Sequence, residues 1–407
     1  MALDSKVVGM RPLSGLRVID LTRALSGPFC SMILADLGAD VVKVEPLPNG
    51  EMSRAWGPFD HGVSAYFLST NRNKRGIAVD FRKPEGRALI RELARSADVV
   101  VENFKPGTME KMGLGYAALR AENPRLIMAS ITGFGSNGPA GQWPGFDQIA
   151  QGCSGLMSLT GSTESGPTRV GVAIGDSTAG MWAALGVLGA VVARSKSGMG
   201  QHVETSLLSG LIGHLNVQAQ RYLSLGEIPP PAGNAHPVIS PYGSYETADG
   251  PLNIATATQD MWRKLAGCLG LEPLIDDPRF VDNTARFSNR ALLKTLMEEK
   301  LKTRSKLEWS EELISRGIPA GPIYNLAEVF ADPQVRHCGL VEEIEHPEIG
   351  VLRQVASPIQ MEGLGSRTSY RAPPLVGEHT LEVLNEFGIA AERIAALVDA
   401  GVILQHR

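Results

Sequence analysis

Short apolar runs alternate with amphipathic stretches through the first half of the chain. Five runs predict strands: Leu16–Leu21, Asp40–Glu45, Ile77–Val79, Asp98–Glu102 and Leu126–Ile131. Pro28–Leu37 and Pro84–Ala94 predict helices, the second with a proline in its first turn. Nearly all-apolar strands separated by helices are typical of a parallel sheet covered on both faces, which predicts an α/β fold.

The pattern changes after a helical stretch at Ser206–Leu225. Gly226–Pro231 is a stiff proline-rich link. A predicted hairpin over Tyr242–Ala257 follows, with a turn at Asp249-Gly250, and then helical patterns at Met261–Leu269 and Arg290–Arg316. Gly317–Pro322 reads as a second link. These links predict a large domain over 1–225, a smaller α+β domain over 226–325, and a return of the chain to the large domain over 326–407.

Composition excludes several classes of protein. The net charge of −4 is spread over interspersed acids and bases, so no nucleic-acid partner is predicted. The apolar run Met181–Ala193 is interrupted by glycines and is too short to span a bilayer, so no membrane association is predicted. The N-terminus lacks a signal-peptide core. Four scattered cysteines and eight histidines without metal-ligand spacing predict a cytoplasmic protein without a metal site.

Three common enzyme signatures are missing. The turn Thr22–Pro28 follows a strand but lacks the Gly-x-Gly-x-x-Gly of dinucleotide-binding proteins. Gly152-Cys-Ser-Gly155 is mis-spaced for a hydrolase nucleophile elbow, and no phosphate-binding P-loop is present.

Two segments allow both a structural and a functional interpretation. Asn71–Gly76 and Arg82-Lys83 bring five cations close together, as a solvated surface loop or as a grip on a phosphate-bearing ligand. Glu102–Gly107 directly follows a strand, where open α/β sheets bind ligands, but its Pro-Gly is also typical of an ordinary turn.

Asp176 has the same ambiguity. It lies in Gly171–Gly180, ahead of the apolar run, where an aspartate would cap a helix. A helix N-terminus would also keep the carboxylate ionised, and Gly175 and Gly180 would leave room for a substrate. An exposed, ionised carboxylate can attack an acyl carbon and form a covalent intermediate.

Taken together, the motifs resemble those of the class III CoA-transferases, the family that includes formyl-CoA transferase and carnitine CoA-transferase. The matching segments are Pro12–Thr22, Leu37–Glu45, Asn73–Arg75, Pro84–Gly86, Glu102–Gly107, Gly145–Gln151, Ser154–Met157, Gly175–Gly180, Gly198–Gln201, Gly321-Pro322, His346-Pro347 and Gly377–Thr380. Because they occur in order over nearly the whole chain, the resemblance is highly specific.

The resemblance implies a CoA-transferase in which Asp176 is the nucleophile and forms an aspartyl-CoA thioester. It implies CoA contacts at Leu25, Ser26, Val79, Arg82, Asn103, Phe104, Lys105, Lys111, Phe146 and Asp147. Acyl-CoA is then a substrate, and no cofactor is permanently bound. Leu25 and Ser26 replace other residue types of formyl-CoA transferase, and its glycine run is missing, so formyl or oxalyl transfer is not expected. The expected pair is succinyl-CoA with a small dicarboxylic acid, because that use is common among relatives without the glycine-rich loop.

The resemblance also implies a large Rossmann-like CoA-binding domain and a ring-shaped chain that forms an interlocked homodimer. Two alternatives stay open. An α-methylacyl-CoA racemase-like epimerase needs an acid/base pair, but Phe146 stands where racemases carry a histidine. A non-catalytic acyl-CoA-binding relative would have no need of Asp176.

Overall fold

The computed structural model describes residues 11–361 and 370–406. Its strands are Arg17–Asp20 (β1), Asp40–Glu45 (β2), Phe59–Asp60 (β3), Val63–Ser64 (β4), Lys74–Val79 (β5), Val99–Glu102 (β6), Ile127–Thr132 (β7), Gly161–Ser162 (β8), Gly166–Pro167 (β9), His202–Ser206 (β10), Tyr242–Glu246 (β11), Pro251–Ala255 (β12), Ala320–Pro322 (β13), Val341–His346 (β14), Gly350–Val355 (β15) and Ile403–Leu404 (β16).

The α-helices of the same residues are Ser26–Asp36 (α1), Ala65–Leu68 (α2), Pro84–Ser96 (α3), Thr108–Lys111 (α4), Tyr116–Glu122 (α5), Asp147–Cys153 (α6), Leu156–Leu159 (α7), Ile174–Ser197 (α8), Leu207–Gly213 (α9), Asn216–Leu225 (α10), Gln259–Cys268 (α11), Asn283–Ser288 (α12), Arg290–Leu301 (α13), Lys306–Ser315 (α14), Leu326–Ala331 (α15), Pro333–His337 (α16), Thr380–Glu386 (α17) and Ala391–Asp399 (α18).

The chain forms two compact units. The first covers the chain up to Met157, Arg169–Ile228 and the chain from His337 onward, and the second covers Ser158–Thr168 and Pro229–Arg336. The second unit begins within the predicted proline-rich link, continues past the predicted boundary at 325, and also includes the short hairpin β8–β9.

A mainly parallel sheet organises the first unit. Its strand order in the described chain is β10-β7-β6-β1-β2-β5-β16, and all neighbours pair in parallel except the antiparallel edge strand β16. Taken in chain order, the six parallel strands have the 3-2-1-4-5-6 arrangement of dinucleotide-binding folds. The predicted α/β fold with a parallel sheet is confirmed, although β10 and β16 were not predicted.

The strands are apolar because both faces of the sheet are buried. In β1, Ile19 belongs to the core that α3, α17 and α18 cover, whereas Val18 belongs to the core that α1, α8 and α9 cover. On the second face, Ala179, Ala183 and Val187 of α8 are buried, and their small size lets α8 lie close to α1.

Helix α8 has 24 residues and is longer than the predicted apolar run. Within the described residues it is the one helix whose length and composition would allow it to cross a membrane. The same properties are found in core helices of soluble proteins, and α8 contributes a buried side to the core of the first unit.

The second unit is an α+β assembly. The predicted hairpin is present as β11 and β12, with Tyr245 opposite Leu252, and β13 pairs antiparallel with β12. The predicted link at Gly317–Pro322 is therefore wrong in part, because its second half is this third strand. The helical pattern at Arg290–Arg316 forms two helices, since Ser305 and Glu308 make a capping box that starts α14.

Candidate active site

The site lies at the point where the strand order of the sheet reverses. The loops after β1 and β6 leave neighbouring strands in opposite directions, which opens a crevice at the carboxyl ends of these strands. Asn103 joins the two loops: its Oδ1 accepts from the backbone N–H of Arg23 at 2.9 Å, and its Nδ2 donates to the Arg23 carbonyl at 2.8 Å.

Buried charged side chains anchor the loop that follows β1. Asp20 accepts hydrogen bonds from Lys74 Nζ at 3.0 Å and from Ser31 Oγ at 2.6 Å, and Lys43 Nζ donates to the Thr22 carbonyl at 3.0 Å. Burial alone would raise the pKa of Asp20, but Lys74 and Lys43 lower it to about 2. The loop is thus anchored by a carboxylate that stays ionised.

Both interpretations of the cationic segment Asn71–Gly76 are wrong, because its cations are buried and paired inside the protein. Lys74 is bonded to Asp20, Arg72 forms an ion pair with Asp36 at 2.5 Å, and Arg75 one with Asp40 at 2.7 Å. The carboxylates come from other parts of the chain, so each buried cation is neutralised by an ion pair. These side chains stabilise β5 rather than grip a ligand.

Asp176 is not the cap of its helix. Helix α8 begins at Ile174, so Asp176 is its third residue, and the helix has no side-chain cap from the preceding residue, Ala173. The free backbone N–H at the helix start is taken by another carboxylate, since Gly175 donates to Asp147 Oδ1 at 2.7 Å. Asp147 lies in the first turn of α6.

The helix start does not hold the pKa of Asp176 at or below its ordinary value. Burial, followed by the negative charge of Asp147, raises the pKa of Asp176 to about 6, although hydrogen bonds from the hydroxyl and backbone N–H of Ser26 act in the other direction. A carboxyl group with this pKa is still mostly ionised above pH 7, and it is more basic than an ordinary aspartate.

The two glycines that flank Asp176 do not leave space for a substrate. A side-chain carbon at Gly175 would lie 3.0 Å from Asp147 Oδ1, and one at Gly180 would lie 2.5 Å from the Ser26 carbonyl oxygen. Protein atoms fill both positions. Gly180 allows α8 to approach the start of α1, which brings Ser26 to Asp176.

Most of the predicted site residues line one cavity of about 530 Å³ in the first unit, a volume in the range of small-molecule sites. They are Leu25, Ser26, Asn103, Phe104, Lys105, Phe146, Asp147 and Asp176.

Three predicted CoA contacts do not line this cavity. Val79 is fully buried in β5, and Lys111 is exposed at the end of the short helix α4. Arg82 lines a different cavity and is paired with Asp80, with Nε to Oδ1 at 2.8 Å.

The cavity also contains side chains that the sequence did not single out. Trp56 and Tyr66 pack edge to face with ring centres 5.3 Å apart, and Trp143 and Arg169 line the wall. Burial, and then the charges of Asp176 and Asp147, raises the pKa of the Tyr66 hydroxyl. These residues are distant from one another along the chain and carry no local motif, so no sequence signal could have grouped them.

In residues 11–361 and 370–406, no group of three or more His, Cys, Asp or Glu side chains could hold a metal ion.

Comparisons with known proteins match this architecture over nearly the whole chain. The model of CoA-transferase family III matches residues 13–380. The chain belongs to CoA-transferase family III. This confirms the predicted family and the predicted reaction class, transfer of CoA between an acyl-CoA and a carboxylic acid.

Three relatives are informative. A succinate–glutarate CoA-transferase of Agrobacterium fabrum is 41% identical, over 92% of this chain and 95% of its own length. A human succinyl-CoA:glutarate CoA-transferase is 38% identical, over 99% of this chain and 92% of its own. The crystal structure of a CAIB/BAIF family protein from Brucella suis, 41% identical, superimposes with a TM-score of 0.85 and covers 93% of this chain and 100% of its own.

Proposed function

We propose that the protein transfers CoA from succinyl-CoA to a small dicarboxylic acid such as glutarate, with Asp176 as the nucleophile. The observation that carries the proposal is the position of Asp176, whose carboxylate shares one cavity with the β1 and β6 loops. The names of the two similar transferases support the substrate pair.

The proposed reaction begins with attack of the Asp176 carboxylate on the thioester carbonyl of the donor. The carbon–sulfur bond breaks, which gives an acyl-aspartyl anhydride and the CoA thiolate. The thiolate attacks the aspartyl carbonyl and releases the donor acid, leaving an aspartyl-CoA thioester. The acceptor carboxylate then reverses the two steps and leaves as the new acyl-CoA. The thioester energy is retained throughout.

The raised pKa of Asp176 suits this role. A more basic carboxylate is a stronger nucleophile, and it is still largely ionised at neutral pH. Ser26 supports the same group from the start of α1, where its hydroxyl and backbone N–H lie against the carboxylate. When the thiolate or the acceptor carboxylate attacks the aspartyl carbonyl, these donors are placed to stabilise the oxyanion that forms on that carbonyl.

The CoA body is proposed to follow the β6 loop away from Asp176. Arg23 lies over the Phe104 ring at 5.4 Å from its centre, and Phe81 packs on the same ring at 6.3 Å. Phe81 precedes Arg82, so this aromatic pair leads from the cavity toward the cation there. Contacts of CoA with Arg82 and Lys111 remain part of the proposal, with the two cations facing its phosphates. The implied contact with Val79 is dropped, because Val79 is fully buried in β5.

The nucleophile is tested by trapping. Wild-type protein incubated with succinyl-CoA and hydroxylamine should gain a hydroxamate on Asp176, detected by peptide mass spectrometry. An Asp176→Asn variant should show no hydroxamate and at least a roughly 10³-fold loss of CoA transfer, because the amide is not a nucleophile. A modified peptide elsewhere, or full activity of the variant, would exclude Asp176.

A homodimer is proposed from an apolar surface of the first unit. Met181, Leu185 and Val192 of α8 are each more than half exposed, and so are Val217 and Leu223 of α10. Exposed apolar side chains in this number favour an interface, and the family resemblance favours a second, interlocked copy of the ring-shaped chain. Light scattering of the purified protein should give twice the mass of one chain; a monomer would contradict the proposal.

The remaining parts of the proposal follow from the sequence. The enzyme is proposed to work in the cytoplasm, without a membrane or nucleic-acid partner and without a permanently bound cofactor. Ultraviolet-visible spectra and metal analysis of the purified protein test the cofactor, and cell fractionation tests the location.

A further inference from the structure

The cationic side chains of the active-site cavity lie on different parts of its wall. Arg23 and Lys105 belong to the β1 and β6 loops, next to Phe104, where the CoA body is proposed to bind. Arg169 belongs to the segment that leads into α8 and lies seven residues before Asp176 in the sequence. Of the three lining cations, Arg169 is therefore the one on the chain segment that leads directly to the nucleophile.

Side chains of α6 fix the backbone on both sides of this segment. The N–H of Val170 donates to Gln151 Oε1 at 2.9 Å, and Gln151 Nε2 donates to Asp147 Oδ2 at 2.7 Å. The other oxygen of Asp147 accepts from Gly175 at 2.7 Å. The pair Asp147–Gln151 thus holds the segment at its start and at its end, and it fixes where Arg169 enters the cavity.

The guanidinium of Arg169 is available to a ligand. It is exposed, and within the described parts of the chain no carboxylate forms an ion pair with it. An exposed arginine can simply be solvated, but the charges around it favour a function. Asp147 and Asp176 line the same cavity and would repel a substrate that carries a second carboxylate. A cation on that wall offsets this repulsion.

We infer that Arg169 binds the non-reacting carboxylate of the acyl group and so selects dicarboxylic over monocarboxylic acids. The inference rests on the proposed function, because the reacting carboxyl must lie at Asp176. The planar guanidinium can donate two parallel hydrogen bonds to a carboxylate. A monocarboxylic acid of similar length has no carboxylate at its far end and cannot accept them.

The test compares glutarate with valerate, an acid of the same chain length with one carboxyl group. CoA transfer to each acid is measured for the wild type, Arg169→Gln, Arg169→Lys and the matched cation variant Arg23→Gln. Arg169→Gln should lower kcat/KM for glutarate roughly 10- to 100-fold, mainly through KM, and change that for valerate less than about threefold. Arg169→Lys should recover part of the loss, since it keeps the charge without the fork.

Arg23→Gln should weaken transfer to both acids equally, because Arg23 faces the CoA end. Equal losses for glutarate and valerate in Arg169→Gln would overturn the inference, as would unchanged discrimination. Circular dichroism confirms that the variants are folded.

A second measurement separates this inference from the proposed function. Calorimetric binding of glutarate to the Asp176→Asn protein with CoA present requires no turnover, and Arg169→Gln in that background should abolish it. If the wild type transfers CoA to no acid but this binding difference persists, the proposed function fails and the role of Arg169 stands. If transfer occurs and the binding difference is absent, Arg169 has no such role.

Discussion

Gly180→Ala tests whether close packing of α8 on α1 builds the site. An alanine methyl at this position would lie 2.5 Å from the Ser26 carbonyl oxygen and 3.2 Å from the backbone nitrogen of Cys30. Both distances are below the roughly 3.5 Å at which nonbonded atoms attract best. The nearest atoms belong to the backbone of a buried helix, so the clash cannot be relieved by turning a side chain.

The expected change in the free energy of unfolding of Gly180→Ala is the sum of two opposing effects. Overpacking of a core costs about 1–3 kcal/mol, whereas alanine is favoured over glycine in a helix interior by about 0.8–1 kcal/mol. The free energy of unfolding of Gly180→Ala should therefore fall by up to about 2 kcal/mol. Displacement of Ser26 from Asp176 by several tenths of an ångström should lower kcat roughly 10- to 100-fold.

Gly189→Ala is the matched control in the same helix, because an added methyl at Gly189 meets no atom within 4 Å. It should gain up to about 1 kcal/mol of stability and keep its activity. Gly189 lies on the apolar face of α8 that is proposed as the dimer interface. Gly267→Ala in α11 of the second unit, which also meets no atom within 4 Å, therefore serves as a second control.

Urea unfolding followed by circular dichroism gives the stabilities, and steady-state CoA transfer gives kcat. The difference between Gly180→Ala and Gly189→Ala isolates the contact with α1, since both variants share the gain in helix propensity. If the two variants are equally stable and equally active, the packing explanation of Gly180 is refuted.

Two further predictions concern buried carboxyl groups. The acid limb of the pH profile of kcat/KM is expected near pH 6, the pKa of Asp176. Asp147→Asn removes a neighbouring negative charge and should lower the apparent pKa of this limb by on the order of one pH unit. A lower kcat with an unchanged limb would show that Asp147 acts only through structure. Glu102, whose pKa burial raises to about 7, penalises folding once ionised, so wild-type stability should fall as pH rises from about 4.5 to about 7. Relative to wild type, Glu102→Gln should raise the free energy of unfolding by up to roughly 3 kcal/mol at pH 8 and by little at pH 4.5. The same stability difference at both pH values in urea unfolding would contradict this prediction.

The parallel sheet could be predicted because a strand buried on both faces is apolar throughout, and that property is local. Val99–Glu102, with three consecutive valines, lies within a predicted strand for this reason. Edge strand β16 was missed because two residues at the end of the chain carry too little pattern.

The cations of Asn71–Gly76 show where local patterns fail. A charged segment is usually solvated, and the carboxylates that neutralise Lys74, Arg72 and Arg75 lie more than thirty residues away from them. Burial of a charge depends on a partner that only the folded chain supplies. No count of charges along the sequence reveals it.

By itself the sequence determined the class of fold and, through the order of its motifs, the family. The same motifs singled out Asp176 as the carboxylate to examine. Only the tertiary structure decided how that carboxylate is set up: Asp147 occupies the helix start and raises its pKa, Ser26 is brought against it by the absence of a side chain at Gly180, and Arg169 shares its cavity. Strand and helix patterns report the burial of each residue. The chemistry of a site depends on distances between residues that are remote along the chain, and these are set by packing.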